Sequence, residues 1–202
     1  LQYMEKSMKE ARRRLGEDNP KFATSLDNYG SALCAMDRFA DAESYYIQAI
    51  QLIAKTKGRD NADFALELNN YGAFLLQKGQ YQEAIDTFLL AKQILDGKKD
   101  PDPNVYFAIL NNLRRCYQDV GKLKEAEQLS LQIIDFRKIR SPQSAQHGSA
   151  LTGYGEFCRS IGQNERAIDL FLQMKEIYER VYGPNSPRMM EALSQIGKTQ
   201  IE

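Results

Sequence analysis

The sequence repeats one pattern at a nearly constant interval. Leu26, Leu68, Leu110, Leu151 and Leu193 recur at spacings of 42, 42, 41 and 42 residues. So regular a period indicates one supersecondary unit copied in tandem, in which each copy packs mainly on its neighbours. The 202 residues therefore correspond to a number of repeats, and a protein-binding surface is a more natural expectation for them than a catalytic site.

Each unit is predicted to contain two amphipathic helices and a tight turn. In the unit that begins at Gly58, apolar residues recur at spacings of three and four on both sides of a break at residues 78–80. Glycines recur in the predicted turn, where a left-handed residue ends the first helix without a Cβ clash, and Asp37 stands there in the first unit. These glycines are Gly79, Gly121 and Gly162.

Residues that favour helix starts recur in the same register. They are Asn19, Asn61, Ser144 and Ser186, with Asp102-Pro103 one residue early in the third unit. The resulting division is 1–15 for the second helix of a preceding repeat, 16–57, 58–99, 100–140 and 141–182 for four repeats, and 183–202 for the first helix of a following one. Both ends would expose apolar faces, so we expect the parent chain to continue in both directions.

Small residues are predicted to hold the two helices of a unit together. Gly30, Gly72 and Gly155 are expected to face Ala42, Ala84 and Ala167, with Tyr46, Phe88 and Phe171 filling the space beneath. The third unit departs from this pattern with Arg114, Ser130 and Ile133 at the glycine, aromatic and final small position. We expect a local change in helix spacing or twist there.

This arrangement of residues resembles the tetratricopeptide repeat, and its long period resembles the kinesin-light-chain type. The first unit carries Leu26, Tyr29, Gly30, Leu33, Ala42, Tyr46 and Ala49, and the second carries Leu68, Tyr71, Gly72, Leu75, Ala84, Phe88 and Ala91. The resemblance implies an all-α fold, a right-handed α-solenoid of helix hairpins. It also implies that the first helices line a concave groove that receives an extended peptide.

The same resemblance implies a set of peptide-binding residues. Asn28, Asn70 and Asn112 occupy a position where the family has an asparagine that contacts peptide backbone, and a side-chain amide offers both a donor and an acceptor for that purpose. The alternative is a structural ladder in which each amide bonds the adjacent repeat, and both roles are compatible. Further groove positions are Asn69, Asn111, Arg115, Arg159 and Lys198, of which the last three are expected to favour an acidic or phosphorylated ligand if they are not simply solvated.

Composition and motifs argue against several other functions. The charge is balanced, with 27 basic and 27 acidic residues, so we expect no nucleic-acid partner and no membrane insertion. Arg12–Arg14 is explained by the negative end of its helix. Cys34, Cys116 and Cys158 are expected to be buried thiols in a reducing, cytoplasmic location. His147 has no matched ligands, and no nucleotide-binding loop or nucleophile motif occurs, so we expect no metal, no cofactor and no enzyme activity.

Three functions follow from this pattern. The leading hypothesis is a scaffold or adaptor that binds a peptide or a partner segment in its groove. A second is a sensor segment that restrains another domain of the same chain, for example in a nucleotide-driven regulatory protein. A third is a spacer or a module for weak self-association.

Overall fold

The computed structural model describes residues 2–201, with side chains through residue 199. The described part contains ten α-helices and no strand. The helices are α1 Gln2–Leu15, α2 Phe22–Cys34, α3 Phe39–Lys57, α4 Ala62–Gln77, α5 Tyr81–Asp96, α6 Pro103–Asp119, α7 Leu123–Arg140, α8 Ala145–Ser160, α9 Asn164–Tyr182 and α10 Pro187–Ile201.

The helices form two compact units. The first is Leu1–Val120, with α1 to α6, and the second is Gly121–Glu202, with α7 to α10. In the first unit each of α2 to α6 packs on the helix before it, and in the second α8 packs on α7, α9 on α8 and α10 on α9. Successive antiparallel packing of this kind is what tandem helix hairpins require.

Side chains cap the starts of four helices as the sequence predicts. The Asn61 Oδ1 atom accepts from the Phe64 amide at 3.0 Å. The other three capping residues are Asp102, Ser144 and Ser186. Each cap satisfies backbone amides that have no partner inside the helix.

The start of α2 differs from the prediction. Asn19 Oδ1 accepts from the Lys21 amide at 3.0 Å, and regular helix begins only at Phe22. Backbone bonds from Phe22 to Asn19 and from Ala23 to Pro20 make a tighter turn first. Asn19 therefore closes a turn that leads into the helix and does not cap the helix itself.

The turn between the helices of a unit has the predicted left-handed residue. Gly79, Gly121 and Gly162 have φ values of 80°, 77° and 78°. Asp37, the counterpart in the first unit, has a φ of 58° and is the non-glycine residue with positive φ in the described chain. Its Cβ makes this conformation less favourable than it is for glycine.

The recurring glycines contact aromatic rings more closely than the predicted alanines. A Cβ atom added to Gly72 would lie 2.7 Å from Phe88, and one added to Gly155 would lie 2.5 Å from Phe171. The ring, four residues after the alanine, reaches across to the glycine of the first helix. A Cβ atom added to Gly148 would likewise lie 2.3 Å from Tyr178, a contact that the sequence pattern does not predict.

The third unit keeps its unusual residues buried. Arg114 is 7% exposed and donates to Asn111 at 3.1 Å and to Gln118 at 3.2 Å within its own helix. Ser130 is buried and donates to the Ala126 carbonyl at 2.9 Å. Because α6 and α7 belong to different units, the predicted change in helix spacing between them stays a prediction.

Candidate functional site

The first helices of the early repeats lie side by side in the first unit. Helix α4 contacts α2 on one side and α6 on the other. The predicted groove residues of these helices are thereby brought next to one another. Asn28 is exposed on α2, whereas Asn70 on α4 and Asn112 on α6 are partly buried.

Two of the three predicted ladder asparagines bond the preceding repeat. Asn70 Nδ2 donates to Asp27 Oδ2 at 2.8 Å, and Asn112 Nδ2 donates to Asn69 Oδ1 at 3.1 Å. The structural role considered for these amides is therefore present. Each bond uses one amide proton, so the carbonyl oxygen and the second proton remain for a ligand.

The other predicted positions of the first unit have different surroundings. Asn28 makes no hydrogen bond to any described residue, and Asn69 is 8% exposed and engaged with Asn112. Asn111 accepts from Arg114, and Arg115 is exposed. Of the asparagines in this set, Asn28 is therefore the residue most available to a ligand without loss of an internal contact.

A small pocket opens between α2 and α4. Its volume is about 270 Å³, which is below the usual size of a drug-like ligand site and closer to that of one inserted side chain. It is lined by Asp27, Asn28, Ser31, Tyr46, Asn70, Ala73, Phe74 and Gln77.

Aromatic rings and hydroxyls form one wall of this pocket. Tyr46 and Phe74 have ring centroids 5.1 Å apart, and the Tyr46 hydroxyl lies 2.9 Å from Ser31 Oγ. Burial raises the pKa of Tyr46 to about 12. The wall therefore offers an apolar ring surface with neutral hydroxyls at its edge.

A buried pair of carboxyl groups lies behind the pocket. Asp27 is 8% exposed and Glu67 is 5% exposed. Burial and the adjacent Asp27 raise the pKa of Glu67 to about 9, and burial also raises the pKa of Asp27. Two carboxyls at such a site share a proton. At neutral pH the two buried carboxyl groups therefore hold one proton between them, and the pair carries one negative charge.

Glu67 is not among the residues predicted from the sequence, although its register contains a usable signal. The matching positions in the later repeats are Ile109, Ala150 and Ala192, all buried. The first repeat has the polar Ser25 at this position, but a glutamate at a position that is apolar and buried in the later repeats is unusual, because an ionised carboxyl is costly to bury. This contrast between repeats identifies Glu67 as a residue with a special environment.

The second unit connects its two first helices through a different set of side chains. Arg159 Nη1 on α8 donates to Gln195 Oε1 on α10 at 3.1 Å, and Gln195 Nε2 lies 3.4 Å from Glu156 Oε1. Lys198 is exposed and forms no hydrogen bond or ion pair with a described residue. Since Arg115 belongs to the first unit, one basic surface shared by Arg115, Arg159 and Lys198 stays a prediction.

The histidine and the cysteines considered in the sequence analysis are buried in the helix packing. His147 is buried, with Nδ1 2.7 Å from the Pro142 carbonyl oxygen. Cys34, Cys116 and Cys158 are buried free thiols, as predicted. Within residues 2–201 no group of three or more His, Cys, Asp or Glu is placed to hold a metal. None of the described helices has the length and apolar character needed to cross a membrane.

Comparisons with known proteins identify the type of repeat. A family model described as tetratricopeptide repeat matches residues 22–63 and 159–188. No curated protein matches the chain significantly.

Solved structures share the fold at low sequence identity. BtubC (BKLC) from P. vanneervenii is 18% identical, with a TM-score of 0.83 over 98% of this chain and 80% of that one. A kinesin-light-chain candidate from Podosopora anserina, with nearly identical TPR-like repeats, is 19% identical, with a TM-score of 0.68 over 89% and 85%.

A third solved structure is of a much longer chain. It is a STAND (Signal Transduction ATPase with Numerous Domains) protein with a tetratricopeptide repeat sensor, from Pyrococcus horikoshii. It is 14% identical, with a TM-score of 0.76 over 97% of this chain and 29% of that one.

The fold and the register of its small and aromatic residues define an α-helical repeat protein. Residues 22–63 and 159–188 match the tetratricopeptide repeat, and the fold is similar to that of kinesin-light-chain-like proteins. The predictions of an all-α fold built from tetratricopeptide helix hairpins and of kinesin-light-chain-like repeats are thus confirmed. Folds of this class generally serve protein interactions and are generally not catalytic.

Proposed function

We propose that this protein is a non-catalytic scaffold whose first helices bind an extended segment of a partner protein. The observation that carries the proposal is the row of amides across α2, α4 and α6. Asn70 and Asn112 keep a free carbonyl and a free N–H after bonding the neighbouring repeat, and Asn28 keeps its whole amide. Such groups can pair with the main chain of a ligand whatever its sequence.

The mechanism is binding to a prearranged surface. The bonds between neighbouring repeats hold the amides in place before a ligand arrives, so the ordering cost falls on the peptide. An affinity on the order of micromolar is expected for such a peptide. The pocket between α2 and α4 would receive one side chain while the amides hold the backbone.

The test is a selection of displayed random peptides on the whole chain, followed by affinity measurements. Asn28→Ala removes an exposed amide that has no internal bond, so binding should weaken about threefold to tenfold with unchanged melting temperature. Gln93→Ala, on the second helix α5, also removes an exposed amide that has no internal bond, so it is the matched control and should change neither. Asn70→Ala and Asn112→Ala are less decisive, because each also removes a bond between repeats.

The proposal fails if no peptide is enriched, or if enriched peptides bind wild type and Asn28→Ala equally. In the alternative function, a sensor segment, another part of the parent chain would occupy the same groove. This alternative is supported only by the fold similarity to the STAND protein. A spacer or self-association module would instead show no peptide binding and a concentration-dependent size in sedimentation.

A further inference from the structure

The pocket between α2 and α4 contains a charge without a counter-ion. Asp27 is buried, with a relative exposure of 8%. Its Oδ2 atom accepts a hydrogen bond from the Asn70 side-chain amide at 2.8 Å. The Oδ1 atom is closed to solvent and has no donor other than the adjacent Glu67 carboxyl, so a ligand in the pocket would meet Asp27 at Oδ2. No lysine or arginine lines the pocket.

Nearby cations are engaged elsewhere. Lys78 approaches the Phe74 ring at 5.7 Å, but its ammonium group is held by Glu43 at 2.9 Å. Burial penalises the charge on Asp27, and neutral hydrogen bonds from Asn70 and Glu67 are what oppose that penalty. Buried charges in proteins are normally paired with an opposite charge, so this carboxylate is an exception that calls for a partner.

We propose that this pocket binds a lysine or arginine side chain of the partner segment, whose cation pairs with Asp27. This inference rests on the proposed peptide-binding function and names the side chain that the groove selects. The remaining lining suits a cation on an aliphatic stem. The Tyr46 and Phe74 rings provide an apolar wall for the stem, and the amide oxygens of Asn28, Asn70 and Gln77 can accept the remaining protons.

Selectivity follows from the same groups. An acidic side chain would meet the Asp27 carboxylate at close range, and an apolar one would leave Asp27 unpaired. A lysine or arginine meets neither penalty. The first two repeats are thus expected to bind a basic residue of the ligand. The positions of Arg115, Arg159 and Lys198 are predicted, in contrast, to prefer an acidic ligand.

The experiment uses n-butylammonium as a probe for the lysine side chain, titrated into the isotopically labelled whole chain. Two-dimensional NMR spectra report the side-chain amides of Asn28, Asn70 and Gln77. We expect saturable shifts of these signals with n-butylammonium and not with n-butanol or with sodium chloride at equal ionic strength. Equal responses to the cation and to n-butanol in wild type overturn the proposal without recourse to any variant.

Two variants then locate the charge. Asp27→Asn keeps the size of the side chain and removes its charge, and it should weaken probe binding at least about tenfold. Asp86→Asn on α5 makes the same change at an exposed site and should have no effect. The spectra themselves show whether each variant is folded. Probe binding that is unchanged in a folded Asp27→Asn variant overturns the proposal.

Failure of this inference can be told apart from failure of the proposed function. Peptides that bind through Asn28 but show no basic residue at a fixed position would overturn the cation pocket and leave the scaffold function in place. Saturable probe binding together with a failed peptide selection would do the reverse.

Discussion

The proton shared by Glu67 and Asp27 makes the stability of the protein depend on pH in an unusual direction. The Glu67 carboxyl has a pKa of about 9 in the folded chain, well above its ordinary value of 4.5. A raised pKa means that the folded state keeps a proton that the unfolded state releases. Stability from this group is therefore complete below about pH 4.5 and is lost progressively as the pH rises towards 9.

The magnitude follows from proton linkage. One proton corresponds to about 1.4 kcal/mol per pH unit, so the free energy of unfolding should fall by up to about 4 kcal/mol between pH 5 and pH 8. Glu67→Gln removes the titration while its amide can still donate to Asp27. The variant should match wild type near pH 5 and be more stable by about 2 kcal/mol or more at pH 8.

The assay is urea unfolding followed by circular dichroism at pH 5, 6.5 and 8. Glu125→Gln, at an exposed site on α7, controls for the loss of one negative charge elsewhere. If the curves of Glu67→Gln and wild type remain parallel across this pH range, Glu67 is not protonated in the folded state. The shared-proton description of the pair would then be wrong.

Three further predictions concern the repeat architecture and use thermal melting as the measurement. Gly72→Ala should destabilise the protein by about 1 to 3 kcal/mol because the added Cβ would meet the Phe88 ring. The control Gly97→Ala, whose Cβ would meet nothing closer than 3.5 Å, should change stability by no more than about 0.5 kcal/mol. Equal effects of the two variants would contradict the ring contact. Asp37→Gly should stabilise by up to about 1 kcal/mol because it relieves a left-handed conformation, and a lower melting temperature would contradict this. Asn61→Ala should cost about 1 kcal/mol through loss of the α4 cap, and an unchanged melting temperature would show that the cap contributes nothing.

The fold could be predicted from the sequence because its signals are local and repeated. Helix caps such as Asn61 and turn residues such as Gly79 act within a few residues of their own position, so their spacing carries the information directly. The first residue of α2 was not predicted correctly because Asn19 can either cap a helix or close a turn, and the choice depends on its three-dimensional surroundings.

The candidate site was only partly predictable for a different reason. Positions such as Asn70 follow from the register, but the partner of each amide lies in another repeat and depends on side-chain rotamers. The contact of Glu67 with Asp27 joins helices 40 residues apart in sequence, and no local pattern indicates it. Comparison of registers flags Glu67 as unusual without saying what it touches.

The two amide bonds between the first helices both span 43 residues, from Asp27 to Asn70 and from Asn69 to Asn112. Each bond therefore joins the first helix of one copy to the first helix of the next, one position further along the repeat. Loss or duplication of the copy 58–99 would leave an equivalent bond at the new junction, because Asp27 or Asn69 would still face an asparagine of the next copy, whereas an insertion of a few residues would break it. Such an array can change its length only in steps of one complete unit.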